Sequence, residues 1–368
     1  MIFDGEGFRD GAALVIEDGR IAEVLDQRRL PPGVERRLLA GGLLAPGFID
    51  IQVNGGGGHL LNGDPSESCL LGIAAAHRRF GTVGLMPTVI TDAPDVMARS
   101  IAAVKAARRI GAAAVLGLHV EGPFIDPRRK GAHDERYIRA LGNEDIAALA
   151  SADCGRLLLT VAPNMVRAEA IRGLAAAGII VSLGHADASA EQAAEALRAG
   201  ATVFTHLFNA MSQLEPRAPG MVGAALADPA SFCSLIVDGQ HVHDAALKTA
   251  LAAKGTERLV LITDAMPTAA DGPDRFHLQG RTVALRNERL ELDDGTLAGS
   301  NLTMDAAVRN CVHRLGVPLA EALRMASLNA AAVLRLDDRL GRVAPGYLAS
   351  LVHLSEELDV LHTWIEGE

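Results

Sequence analysis

Aromatic residues make up only 3% of this 368-residue chain, with one Trp and two Tyr, and Lys and Arg form no block anywhere along it. A nucleic-acid surface needs a concentrated basic footprint and often stacking rings, so these scarcities exclude that class of partner. The formal net charge is -10, and an anionic ligand would have to be held by a local cluster against the overall field. Cysteine is scarce too. Cys69, Cys154, Cys233 and Cys311 lie far apart in no paired motif, which argues against a disulfide framework or zinc knuckle and for a reducing compartment. No run approaches the ~18 apolar residues of a membrane span. Residues 1–10 are acidic and lack the basic-then-apolar layout of a leader, so the expectation is a soluble, cytoplasmic protein without a membrane partner.

About half of the chain is apolar, enough for one large domain and a small one. Strand-like runs alternate with Ala-rich helical ones through the middle. We place strands at 47–53, 83–88, 115–121, 157–162, 179–183, 201–205, 234–237 and 259–263. Helices are expected at 69–80, 93–110, 143–149, 168–177, 190–199, 245–253 and 304–315. This βα alternation predicts an α/β fold, a (β/α)8 TIM barrel, whose functional end is the C-terminal ends of its strands. At the start, Asp18-Gly19-Arg20 between alternating runs predicts a β-hairpin, and Pro31-Pro32-Gly33 follows. Short β-like runs recur at 340–344, 349–354 and 361–364. Both termini are therefore expected to join in a small β-sandwich domain, giving boundaries of 1–45, 46–340 and 341–368. Between Phe276 and Leu297 the pattern alternates like a hairpin, an insertion expected to lie over the site.

Four of the predicted strands end in chemistry-bearing residues. Leu118-His119-Val120-Glu121 stops at Gly122-Pro123, and the others lead into Gly184-His185, Thr205-His206 and Thr263-Asp264. Glu121, His185 and His206 make the carboxylate-plus-imidazole set of a catalytic zinc or iron(II) centre, which keeps a position open for water. Such a metal lowers the pKa of its water from 15.7 towards ~7. Asp264 then suits the general base, accepting the water's proton and passing it to a departing nitrogen.

The ordered stretches Phe48-Ile49-Asp50-Ile51-Gln52-Val53-Asn54-Gly55, His119-Val120-Glu121-Gly122-Pro123, Gly184-His185-Ala186-Asp187, Thr205-His206-Leu207-Phe208-Asn209-Ala210-Met211 and Thr263-Asp264-Ala265 resemble the N-acetylglucosamine-6-phosphate deacetylase family of the amidohydrolase superfamily. The resemblance runs from Pro46-Gly47 to about Gly341-Arg342. It implies hydrolysis of the N-acetyl group of N-acetyl-D-glucosamine 6-phosphate to D-glucosamine 6-phosphate and acetate, in amino-sugar catabolism and cell-wall recycling. It also implies metal ligation by Glu121, His185 and His206, acid/base work by Asp264, and a substrate-amide contact from His133. Sugar-phosphate contacts are implied for Asn209, Ala210, Arg217 and His241, in a homodimer whose neighbouring subunit can supply one of them.

Most amidohydrolases carry His-x-His on the first strand and hold a second metal. Here Gln52 and Asn54 stand there, so one divalent metal per subunit is expected, Zn2+ or Fe2+, with Gln52 free to hydrogen-bond water or substrate. Other notable residues have plainer readings. His119 shares a strand face with Glu121 and reads as a packed barrel histidine, and His243 reads as structural. Gly55-Gly56-Gly57-Gly58 lacks the Lys-Ser/Thr of a nucleotide loop and is expected to let backbone approach the site. The rivals are an amidohydrolase acting on cyclic amides or as a deaminase, and a barrel with no catalysis at all.

Overall fold

A computed structural model describes all residues of the chain except 31, 32 and 34, so the Pro31-Pro32 turn lies outside the described residues. Eight parallel strands form one sheet in sequence order: β1 (Phe48–Val53), β2 (Thr82–Ile90), β3 (Gly117–Glu121), β4 (Arg156–Val161), β5 (Ile180–Leu183), β6 (Ala201–Phe204), β7 (Phe232–Ile236) and β8 (Leu259–Ile262). Nearly all their residues are buried, as a parallel sheet covered by helices requires. β1 and β8 share no ladder. The seam just beyond them is drawn together where Asp264 N–H donates to the Gln52 carbonyl (3.0 Å) and Asn54 N–H to that of Ala265 (2.9 Å).

The helices are α1 (Glu67–Arg78), α2 (Pro94–Arg109), α3 (Asn143–Ala150), α4 (Ala168–Ala176), α5 (Ala190–Arg198), α6 (Gly220–Ala227), α7 (Asp244–Lys254), α8 (Met304–Asn310), α9 (Leu319–Ala326) and α10 (Leu328–Val333). Their starts follow capping chemistry. Ser66 caps α1 through its side chain, Pro94 opens α2, and Ser189 with Gln192 forms a capping box on α5. The sequence reading has no α6, α9 or α10. α6 is built of Gly, Ala, Met, Val and Leu, without a polar face to give it a period, and α9 and α10 are short pieces separated at Ser327. The helix expected at 304–315 changes to a π turn at Cys311–Leu315, which ends at Gly316 in the left-handed region. No helix among the described residues is long and apolar enough to cross a membrane.

Both termini meet in a five-stranded mixed sheet, ordered Phe8–Arg9, Ile2–Phe3, Leu43–Pro46, Leu351–Leu354, Val360–Trp364. The hairpin Ala12–Glu17/Arg20–Asp26 packs against it, Ile21, Leu14 and Val24 meeting Ile2, Leu351 and Trp364. Its turn residues Asp18 and Gly19 have φ of 48° and 74°. A Cβ on Gly19 would also stand 2.7 Å from the Glu366 carbonyl oxygen, so this tight turn needs glycine. Residues 340–344 form no strand, although Val343 N–H still donates to the Asp4 carbonyl.

The insertion expected as a hairpin has three antiparallel strands, Arg275–Leu278, Arg281–Arg286 and Arg289–Leu292. Gln279-Gly280 makes the extra turn. Its apolar face, Leu278, Val283, Leu290 and Leu292, packs on Ile90, Met266 and Ala298 at the C-terminal mouth of the barrel.

Candidate metal centre and active site

Glu121 is the last residue of β3, while His185, His206 and Asp264 each stand two residues past the ends of β5, β6 and β8. Those three have positive φ, 47°, 33° and 51°. A left-handed residue there breaks the ladder and turns the side chain off the strand path; for a residue with a Cβ the conformation costs of order 1–3 kcal/mol.

Glu121 Oε1 lies 2.9 Å from His206 Nε2 and 3.2 Å from His185 Nε2, and the two nitrogens are 3.0 Å apart. All three side chains are buried, with ligand atoms within 4.8 Å of one another. His185 Nδ1 donates to the Arg129 carbonyl (2.9 Å), which turns Nε2 to face the cluster. Arg129 is itself held by Asp187 (2.8 Å). The result is a buried His/His/Glu cluster suitable for one divalent metal ion.

Burial pushes the Glu121 carboxyl upward, but hydrogen bonds from His185 and His206 outweigh it and hold the group well below the usual range. Burial depresses His206 in turn, yet the Glu121 hydrogen bond and charge bring it above its ordinary value. Asp264 is raised to about 6, first by burial and then by the Glu121 charge, against the pull of His206, His241 and an Asn54 hydrogen bond. A carboxyl poised there can change protonation near neutral pH.

Gln52 and Asn54 are turned inward. The Gln52 amide donates to Glu121 Oε1 (3.1 Å) and to Asp264 Oδ1 (3.2 Å), and Asn54 Nδ2 donates to the same Asp264 oxygen (2.7 Å). Gln52 thus joins two carboxylates instead of presenting its amide freely to water. Asp50, quoted in the first motif without a role, is fully buried and accepts from Thr263 Oγ1 (2.5 Å) and from the Gln52 and Thr263 amides. Burial raises it to about 7 despite those donors. It ties β1 to the residue preceding Asp264. A carboxylate within an otherwise apolar strand was the signal available in the sequence.

His133 is buried beside the cluster, its Nε2 3.8 Å from Glu121 Oε2. Thr91 N–H donates to His133 Nδ1 (3.4 Å), which leaves the ring proton on Nε2. Burial and the His185 charge hold His133 well below its ordinary value, so the ring is a neutral N–H donor. Thr91 and the His133 loop are in turn fixed by the insertion: Gln279 donates to the Thr91 carbonyl and Arg281 to that of Ala132, both at 2.6 Å. The primary pattern carries no sign of these links.

A cavity of about 390 Å³ opens over the cluster, lined by Glu121, His133, His185, His206, Asn209, Ala210, His241 and Asp264 together with Arg128 and Arg129. His241 Nδ1 pairs with Asp238 at 2.6 Å. Asn209 donates to the His206 carbonyl (3.2 Å), and Ala210 is left-handed at 52°. Arg217 is not among the lining residues; it is exposed on the 213–219 loop. The sequence reading passed over Arg128 and Arg129.

His119 is buried between Thr160 Oγ1 (2.8 Å) and Thr88 Oγ1 (3.3 Å), and burial drives it to about 4. His243 caps α7 by accepting from Ala245 N–H. In the glycine run, Gly56 and Gly57 make room for His77 and Ala76 of α1 and not for the site. All four cysteines are buried free thiols.

A (β/α)8 barrel with a Glu/His/His cluster and a neighbouring aspartate at its C-terminal mouth defines a class: barrels fitted for metal-assisted hydrolysis. The Amidohydrolase family model matches residues 43–368, and the chain belongs to that family. An N-acetylgalactosamine-6-phosphate deacetylase of Shewanella sp. (strain ANA-3) is 41% identical over 330 residues, 90% of this chain and 84% of that protein. The crystal structure of N-acetylglucosamine-6-phosphate deacetylase from Pasteurella multocida superposes with a TM-score of 0.97 at 34% identity, covering 100% of this chain and 97% of the other. A variant of the Mycobacterium smegmatis enzyme of that name, in complex with N-acetyl-D-glucosamine 6-phosphate, gives a TM-score of 0.91 at 30% identity, covering 100% and 96%.

Proposed function

We propose that this enzyme hydrolyses the acetamide of N-acetyl-D-glucosamine 6-phosphate to D-glucosamine 6-phosphate and acetate, in amino-sugar catabolism and cell-wall recycling. The supporting observation is one cavity that holds the Glu121, His185 and His206 cluster, a raised Asp264 and a neutral His133, in a chain with full-length likeness to deacetylases of phosphorylated amino sugars.

Glu121, His185 and His206 would hold one Zn2+ or Fe2+, whose Lewis acidity activates water and polarises the amide carbonyl. Asp264, oriented by Gln52 and Asn54, accepts a proton from the attacking water and delivers it to the amide nitrogen as the C–N bond breaks. His133 Nε2–H stabilises the charge that develops on the amide oxygen. His241, fixed by Asp238, and Asn209 and Ala210 face the phosphorylated sugar. Arg217, exposed on its loop, would serve the phosphate across a homodimer interface, where a charge-assisted hydrogen bond contributes ~1.5–3 kcal/mol. Residues 46–340 would form the catalytic domain, with 1–45 and 341–368 as the second, and the four free thiols fit the cytoplasm.

The 41% identity to an enzyme named for the galactosamine compound favours one second reading, the C4 epimer as substrate. Steady-state kinetics on both 6-phosphorylated epimers and on unphosphorylated N-acetylglucosamine tests both. The glucosamine compound is expected to give the highest kcat/KM. Equal rates on phosphorylated and unphosphorylated sugar would overturn the reading, and preference for the galactosamine compound would move it to the epimer.

A further inference from the structure

A second large cavity, of about 460 Å³, lies at the opposite end of the barrel. It is walled by Val83, Leu116 and Arg156 at the N-terminal ends of β2, β3 and β4, by residues 111–113 after α2, and by the segment containing Leu336, Leu340 and Ser350 that leads to the terminal sheet. From Leu116 to Glu121 an extended chain spans ~16 Å, so this cleft is separate from the metal centre.

Three arginines from three segments line it: Arg108 in the last turn of α2, Arg156 at the start of β4, and Arg339 after α10. Arg108 lies against Gly155. A Cβ there would come within 2.8 Å of its Nε and 2.9 Å of its Cζ, and Gly155 also has φ of +86°. Arg108 donates to the Val115 carbonyl (2.8 Å) and Arg156 to that of Arg335 (2.9 Å). Neither forms an ion pair with the described residues, and a guanidinium carries five N–H donors, so most of their donor capacity is uncommitted.

The cations act on one another. Burial, then Arg339, then Arg335 hold Arg156 below its ordinary value. Three other arginines, Arg339, Arg335 and Arg108, act on Arg156; Asp338, 3.0 Å from Arg339, opposes them, and Glu366 shares the cavity lining. In a chain of net charge -10, this gathering of arginines is a concentrated reversal of sign.

We propose that this cleft is a second anion site, built for the dianion of a phosphate monoester. Forked guanidinium groups bind the oxygens of a phosphoryl dianion in pairs. The volume falls in the range of small-molecule sites, with room for a sugar as well as the phosphoryl group. Inorganic phosphate and a sugar phosphate share this chemistry.

Titration calorimetry on the metal-loaded protein tests the proposal, with glucosamine 6-phosphate, inorganic phosphate and glucosamine as separate titrants. Two equivalents of the sugar phosphate per chain are expected, the cleft equivalent weakening as salt is raised. Arg339 is exposed and, among the described residues, pairs only with its neighbour Asp338, so Arg339→Gln should fold normally. It should weaken the cleft equivalent at least tenfold and leave KM for deacetylation unchanged; Arg156→Gln with Arg339→Gln should abolish that equivalent. Inorganic phosphate filling the cleft as tightly would assign recognition to the phosphoryl group, and weaker binding would assign part of it to the sugar. A single equivalent in the wild type, unchanged binding in Arg339→Gln, or equal binding of glucosamine would overturn the proposal.

Discussion

At the C-terminal mouth, Glu121, His185, His206 and Asp264 are held by one another and by Gln52 and Asn54, with hydrogen bonds of 2.7–3.2 Å. At the N-terminal mouth, Arg108 and Arg156 hydrogen-bond, among the described residues, to backbone carbonyls and leave most donors to the cleft. The first arrangement fixes geometry in a low-dielectric pocket, where each group sets its neighbour's protonation. The second stores charge beside water. Substitutions at the first mouth should therefore act steeply and together, whereas those at the second should be graded and screened by salt.

The comparison predicts its largest effect at the base. Asp264→Asn should lower kcat by ~10²–10⁴, the usual range for general acid–base catalysis, with circular dichroism and metal content retained. Wild-type turnover in that variant would remove the proton-transfer role. Chelation should abolish activity and lower Tm, because a ligand present at 100 times its Kd stabilises by about 2.7 kcal/mol; activity and Tm should return together when Zn2+ or Fe2+ is added. Asp50→Asn comes next. Its amide would point a donor at donors from Thr263 and Gln52, at a cost of ~1–3 kcal/mol by denaturant melts, and should lower kcat more than it changes KM.

The smallest effect concerns pH. Asp264 must be ionised to accept a proton, so kcat/KM should rise as pH passes through about 6. The Asn54 hydrogen bond favours the carboxylate, and Asn54→Leu should move that limb to higher pH. A limb that stays in place would mean that Asn54 does not tune the base.

The fold was legible where periodicity was clean. The eight buried strands and the strand-end residues Glu121, His185, His206 and Asp264 stand next to Gly, Thr or Pro breaks in apolar runs. α6 was hidden because a small, wholly apolar helix has no face to reveal, and the insertion's first strand, Arg275–Leu278, because Gln279-Gly280 is a weak turn signal. The inward turn of Gln52 and the hold of Asp50 on Thr263 depend on β1 meeting the exit of β8, a contact between positions more than 200 residues apart. The links from Gln279 to Thr91 and from Arg281 to Ala132 are likewise long-range, and nothing local specifies them.

The left-handed backbone at His185, His206 and Asp264 places working side chains where glycine would rest most easily. Glycine at any of the three should relax the main chain while deleting the chemistry. A disarmed protein of this kind, assayed without metal, could resist heating better than the active one, and stability selection alone would drift towards it.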